Sequence, residues 1–252
     1  MKTTKILLGA LRISALIALF AIAMPAQAQT VNINFNGNGD TYTGTGASSD
    51  TGTYWNSVLW NVTNGGGGGP AGTYGQINTG FKESNGVTSA GGVTVSLGNN
   101  NGGYNPYDFA VYSHPAAFAA PLLSDGFSQD TNVEISGLTA GGQYDLYLYS
   151  EAGSYNSGGT TFTFGTTKTA VNNAVGDGAF TPGVNYVEFV LTANGSGDII
   201  GSYGYYGGGT SMLNGLQIQA VAAPEPSTYA LVALGAGMLM LRLRRKGASL
   251  SA

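Results

Sequence analysis

Short runs in which apolar and polar residues alternate one for one recur through this chain and constrain its fold more than any other feature. Val31, Ile33 and Phe35 are separated by Asn32 and Asn34, and Tyr144, Leu146 and Leu148 by Asp145 and Tyr147. Val187, Phe189 and Leu191 alternate with Glu188 and Val190 in the same way. A repeat of two is the geometry of a β-strand, which points successive side chains to opposite faces. Further strands are expected at 58–62, 93–97, 109–112, 133–135, 162–164 and 216–220, giving about nine in all. Clusters of Gly, Asn, Asp and Ser separate these runs and supply turn chemistry. One short helix is expected within 115–123, ahead of Asp125-Gly126. No strand–helix–strand repeat is visible. The fold class predicted is therefore all-β: a single antiparallel β-sandwich of jelly-roll type.

With 42 glycines, disorder is the competing reading. The regular spacing of Tyr, Phe, Val, Ile and Leu argues against it for the domain as a whole. There is no cysteine, so disulfides, thiolate-ligated zinc and a Cys nucleophile are excluded. Charge is unevenly placed. Twelve of the thirteen acids but only Lys82 and Lys168 of the nine basic residues lie between 29 and 223, a formal charge of −10. Such a surface repels phosphate, so nucleic acid is not expected as a partner.

The two ends are addresses rather than fold. Lys2, Lys5 and Arg12 precede an uncharged apolar stretch at 13–23, and Ala26-Gln27-Ala28 follows Pro25. Small residues at Ala26 and Ala28 are what signal peptidase requires, so residues 1–28 are expected to be a signal peptide cleaved after Ala28. At the other end, Pro224-Glu225-Pro226 precedes an apolar run at 229–241 and a basic cluster of Arg242, Arg244, Arg245 and Lys246. The prolines keep the motif extended and exposed, as a processing enzyme needs. The apolar run is short against the roughly 20 residues of a full span. Snorkelling arginines extend it, and the basic cluster stays cytoplasmic.

In this order and spacing, these residues resemble the PEP-CTERM sorting signal of exported proteins in Gram-negative bacteria, which exosortases process. Pro224, Glu225 and Pro226 match the motif residue by residue. Residues 247–252 extend beyond the basic cluster and depart from the pattern. The resemblance covers about the last thirty residues. It implies signal peptidase and exosortase as processing partners, and a bacterial membrane held through the C-terminal helix before processing. The expected organisation is a signal peptide (1–28), a secreted domain (29–223), the sorting signal (224–246) and a tail (247–252).

Within the domain, Val133-Glu134-Ile135-Ser136-Gly137-Leu138 is followed by a turn and a strand opening on Tyr144, and the chain closes with Leu213-Asn214-Gly215-Leu216-Gln217-Ile218. Both features resemble galactose-binding-like jelly-roll modules of bacterial surface proteins. The resemblance implies the fold.

Candidate chemistry is sparse. His114 is the single histidine, and no Gly-x-Ser-x-Gly elbow surrounds any serine that it would activate, Ser124 included. It reads as a loop residue. Glu134 and Glu188 are the acids a glycosidase would use, but both alternate with apolar neighbours and so lie on the polar face of a strand. Asn36, Asn38 and Asp40 offer hard oxygen ligands in a Gly-rich turn, suited to a structural Ca²⁺. No other cofactor is expected. Tyr104 and Tyr107 in one Asn-Gly-rich segment, and Tyr203, Tyr205 and Tyr206 in another, read as loop aromatics able to stack on sugar rings. Trp55 and Trp60 read as core. The expected function is that of a non-catalytic cell-surface or extracellular-matrix protein that binds extracellular polysaccharide. A secreted polysaccharide hydrolase and a purely structural or adhesive matrix protein are the alternatives.

Overall fold

The computed structural model describes residues 29–36, 42–59, 74–99, 122–123, 126–128, 131–151, 158–171, 179–207 and 211–221, with Leu234, Gly235 and Met238 beyond them. The chain divides into two compact units, one formed by Gln29–Val221 and the other by Met1–Ala28 with Ala222–Ala252. In the second unit only Leu234, Gly235 and Met238 are described; all three are helical and exposed. Among the described residues no helix is long and apolar enough to cross a membrane. The signal peptide and the sorting motif lie outside the described residues.

The unit Gln29–Val221 is built from strands. In chain order they are β1 (Thr30–Asn36), β2 (Asn56–Leu59), β3 (Tyr74–Asn78), β4 (Thr94–Asn99), β5 (Phe127–Ser128), β6 (Thr131–Ser136) and β7 (Gln143–Tyr149). They continue as β8 (Gly159–Phe164), β9 (Thr166–Ala170), β10 (Tyr186–Thr192), β11 (Ile199–Tyr206), β12 (Met212–Leu213) and β13 (Gly215–Ala220). One sheet has the order β10-β7-β13-β1-β2 and the other β3-β4-β6-β11-β8-β9, with β12-β5 as a separate short ladder. Pairing is antiparallel except between β1 and β2, which run parallel from Ile33↔Asn56 to Asn36↔Leu59. The expectation of a wholly antiparallel architecture is corrected there. The chain reaches β2 through the long segment 42–55, which returns it to the same end of the sheet.

Both sheets feed one core, which makes the arrangement sandwich-like. Val31, Ile33, Leu146, Leu148, Val187, Phe189, Leu216 and Ile218 come from the five-stranded sheet. Val95, Leu97, Val133, Ile135, Phe162, Phe164, Ile199 and Tyr203 come from the six-stranded sheet. Apart from Ile199 and Tyr203 of β11, these are the apolar members of the alternating runs, and burying each such side chain contributes about 1.5–3 kcal/mol. Where the chain passes from β6 to β7, Gly137 takes a left-handed φ of 77°, a conformation that costs glycine nothing. The Tyr144 hydroxyl then accepts the Thr139 N–H at 2.9 Å, folding the ring back over the turn. At the opposite margin Lys168, on edge strand β9, lies 5.0 Å from the Phe189 ring centroid and donates to the Glu188 carbonyl, linking the two sheets.

Candidate functional site

The outer face of the five-stranded sheet is covered over β7, β13 and β1, while Val190 at the β10 edge stays exposed. Asn32, Tyr147, Tyr149 and Gln217 point away from the core, yet all are buried. Residues 42–55 lie over them, and a second cluster forms there from Tyr42, Trp55, Leu122, Leu123, Tyr147 and Tyr149. Trp55 sits at its centre, with ring centroids 5.2 Å from Tyr42 and 5.7 Å from Tyr149 in edge-on geometry. Such aromatic pairs add about 0.5–1.5 kcal/mol beyond their burial. The Trp55 Nε1–H donates to the Gly44 carbonyl at 2.8 Å, and the Tyr42 hydroxyl to the Thr45 carbonyl at 3.0 Å.

Beneath this cluster the polar groups form a continuous relay. The Ala47 N–H donates to the Tyr149 hydroxyl at 2.6 Å, and that hydroxyl donates to Gln217 Oε1. Gln217 Nε2 donates to Asn32 Oδ1 at 2.8 Å, and Asn32 Nδ2 to the Tyr54 carbonyl at 3.1 Å. Buried amides need such partners, because an unpaired one costs about 1–3 kcal/mol. Asn56 completes the frame. Its Nδ2 donates to the carbonyls of Asn32 (2.9 Å) and Lys82 (2.8 Å), and its Oδ1 accepts the Lys82 N–H at 2.8 Å. Burial pushes the Tyr149 hydroxyl well above its ordinary pKa and also raises Tyr42 and Tyr186. Tyr147 is pushed up to about 12, first by burial and then by the charge of Glu188 beside it. All four therefore stay neutral at ordinary pH.

This frame holds a cleft of about 750 Å³. Tyr42, Tyr54 and Trp55 supply its aromatic surface. Thr43, Thr51, Gly52, Thr53, Ser57, Ser84 and Asn85 line the rest, and none of these described residues is charged. Tyr42 and Trp55 are buried, whereas Tyr54 is 38% exposed. Lys82 Nζ lies 5.6 Å from the Tyr54 ring centroid. Gly86 adjoins the same ring, where a Cβ would stand 2.9 Å from Tyr54 Cδ2. The lining segments are fixed to one another and to β1: Tyr54 N–H donates to the Ser84 carbonyl at 3.0 Å, and Ser84 N–H to the Thr30 carbonyl at 2.8 Å. Gly52 approaches Ser84 too closely for any side chain to fit between them without a shift.

The residues expected from sequence fall elsewhere. Tyr203 is a correction: it lies on β11, not in a loop, and is buried in the core with its ring centroid 6.0 Å from that of Phe162. Tyr205 and Tyr206 end the same strand and are half-exposed. Consecutive strand residues face opposite sides, so they do not make one platform. Tyr104 and Tyr107 lie outside the described residues, as do His114, Trp60, Asn38 and Asp40, the last two being partners of Asn36 in the expected calcium turn. Pro224, Glu225, Pro226, Ala26, Ala28 and the basic cluster Arg242, Arg244, Arg245 and Lys246 also lie outside them. Among the described residues no group of three or more His, Asp or Glu side chains gathers to hold a metal. Glu134 accepts the Ser136 hydroxyl at 3.1 Å on β6, and Glu188 accepts the Tyr147 hydroxyl at 3.3 Å on β10. Their flanking residues Val133, Ile135, Val187 and Phe189 enter the core from opposite sheets. The two acids therefore occupy opposite outer faces and cannot flank one glycosidic bond. Trp55 is buried, as expected. Sequence reasoning missed Tyr54, Asn56 and Gln217. The available signal was the run of asparagines on the outward face of β1, which bare strands seldom carry.

No protein-family model and no curated protein matches this chain. Among solved structures, the plant receptor-like kinase FER is 15% identical, with a TM-score of 0.39, over 78% of this chain and 43% of that one. The ANXUR2 extracellular domain from Arabidopsis thaliana is 11% identical, with a TM-score of 0.31, over 61% of this chain and 54% of that one. The chain thus spans about half the length of each, and at these values neither likeness bears on the site.

Proposed function

We propose that this is an exported bacterial cell-surface or extracellular-matrix protein, sorted by an exosortase-like system, whose jelly-roll-type domain holds extracellular polysaccharide without reacting with it. The observation that carries this reading is the ordered tail: Pro224-Glu225-Pro226, an apolar run, then Arg242, Arg244, Arg245 and Lys246. An ordinary membrane anchor accounts for the apolar and basic parts but not for the proline motif. The Ala26 and Ala28 cleavage site supports export. The domain's formal charge of −10 favours neutral glycans and divalent cations over anionic polymers. A structural Ca²⁺ at Asn36, Asn38 and Asp40 belongs to the same reading.

Intact-mass analysis of the protein recovered from the envelope and medium of its host tests it. The expected mature form begins at Gln29 and ends between Pro224 and Ser227. A form that keeps Arg244, Arg245 and Lys246 would reduce the tail to an anchor and remove the sorting proposal.

A further inference from the structure

We propose that the cleft between Tyr42 and Asn85 is the saccharide site of this domain, that it takes a neutral sugar, and that Tyr54 is its stacking surface. The inference rests on the polysaccharide-holding part of the function proposed above and assigns it a place that none of the sequence-expected tyrosines occupies.

Four observations converge. The volume, about 750 Å³, lies within the roughly 300–1,000 Å³ of small-ligand sites. The described lining is five Ser and Thr residues, Asn85, Gly52 and three aromatic residues. This matches a sugar, which offers hydroxyls at its edge and apolar C–H groups on its faces. None of the described lining residues is charged, and although the Lys82 ammonium stands 5.6 Å from the Tyr54 ring centroid, the domain's formal charge of −10 favours a neutral ring over a uronate or a phosphorylated sugar. The site is also built before any ligand arrives. Asn56 fastens β2 to Lys82 by two hydrogen bonds, the Tyr54 N–H is held by Ser84, and the Gln217–Asn32 relay ends on the Tyr54 carbonyl. A preorganised wall removes the ordering cost that otherwise weakens binding.

The same features argue against a peptide as occupant. The Tyr54 N–H and carbonyl are already engaged, so the backbone of Tyr54 has no hydrogen bond to offer an extended chain. Tyr42 and Trp55 are too buried to form an open apolar pocket for a side chain. Tyr54 is the large ring in the cleft that a ligand can reach. Thr51 and Thr53, both exposed, line the cleft beside it.

The test is binding of the protein recovered from its host envelope to a panel of neutral glucan, mannan and galactan oligosaccharides and of uronate-containing oligosaccharides. Tyr54→Ala, Tyr54→Phe, Thr53→Trp and the double variant Tyr205→Ala, Tyr206→Ala are compared, with thermal melting as the check on folding. The expected result is binding to neutral members, weakened roughly tenfold or more by Tyr54→Ala. It is restored by Tyr54→Phe and abolished when Thr53→Trp fills the cleft. If binding is undiminished in both Tyr54→Ala and Thr53→Trp, the cleft is not the site, while the polysaccharide reading stands. Loss only in the Tyr205, Tyr206 variant moves the site to the end of β11. Binding confined to uronate-containing members overturns the neutral class, and no binding to any member overturns both the site and the polysaccharide reading.

Discussion

The outer faces of the two sheets arise from the same strand alternation and end in different states, covered over β7, β13 and β1 on one and open along β8, β9 and β11 on the other. On the five-stranded sheet, Asn32, Asn34, Tyr149 and Gln217 point outward and are all buried. On the six-stranded sheet, Thr163, Thr167, Ile200 and Tyr206 are exposed. Alternation decides which residues leave the core. Whether they then meet water depends on what crosses above them, and here the segment 42–55 crosses only one sheet. It stays down because the covered face gives it both apolar and polar anchorage. Trp55 packs edge-on against Tyr42 and Tyr149, and the Ala47 N–H docks on the Tyr149 hydroxyl. The cleft lies on that side, where the covering segment meets Ser57 of β2 and the turn at Ser84 and Asn85.

The strongest way to break this contrast is to remove the same kind of group from each face. Trp55→Ala is expected to lower unfolding free energy by about 3–5 kcal/mol, the range for deleting a buried aromatic. Tyr206→Ala on the bare face is expected to stay within about 0.5 kcal/mol. Chemical denaturation of both variants measures the difference. Equal losses would mean that the two faces are not energetically distinct.

Next in size is the relay. Gln217→Leu keeps the approximate shape but removes the acceptor of the Tyr149 hydroxyl and the donor to Asn32 Oδ1. Three buried groups, counting the Ser48 N–H, lose a partner, and leaving even one of them unsatisfied is expected to cost about 1–3 kcal/mol. Hydrogen exchange at the Ala47 and Ser48 amides should rise with it, since both bond into the same pair of side chains. A loss of stability without faster exchange there would place the damage in the core rather than in the covering segment.

Much of the core was legible in the sequence, because β1, β7, β10 and β13 carry clean alternation and bury the residues it selects. β11 was not read as a strand, since Gly201 and Gly204 interrupt its pattern. Gly201 is there for packing: the Phe164 ring occupies the space its side chain would take. That hidden strand is why Tyr203 read as a loop residue and proved to be core. β9 was missed because an edge strand has little core to face, and its inward positions include Lys168. The second sequence run was read at 58–62, whereas β2 spans Asn56–Leu59. Gly215 in the closing motif is explained by crowding, as a Cβ there would stand 2.7 Å from Leu122 Cδ1 and 2.8 Å from the Ile33 carbonyl oxygen. The cleft was illegible for a different reason. Its walls are brought together by long-range bonds from Asn32, Asn56 and Gln217, none of which leaves a local pattern.

Alkaline pH sharpens the comparison through one residue. Tyr147 lies on the covered face and is pushed up to about 12 by burial and by Glu188. The folded protein therefore holds that proton more tightly than the unfolded chain, whose tyrosines titrate near 10. This contribution is fully present below about pH 10 and is lost as pH rises toward about 12. Tyr147→Phe has no proton to lose, so its stability should fall less steeply across that window. A denaturation series at fixed pH steps measures the slope. An unchanged slope would mean that other buried hydroxyls, Tyr149 first, carry the alkaline sensitivity.

The smallest effect belongs to the bare face. Thr163 and Thr167 are directly opposite across β8 and β9, with their hydroxyls 3.2 Å apart, and both are exposed. A cross-strand pair of this kind contributes about 0.2–1 kcal/mol, and water readily replaces an exposed hydroxyl partner. Thr167→Ala is therefore expected at the low end of that range, read as a barely shifted denaturation midpoint with an unchanged slope. Its neighbour Lys168 keeps the edge closed by resting over Phe189 and donating to the Glu188 carbonyl, so removing one hydroxyl should not open the sandwich. A loss near that of Gln217→Leu would show that the six-stranded sheet depends on its outer face as much as the covered sheet does. The cover formed by residues 42–55 would then no longer be what distinguishes the two.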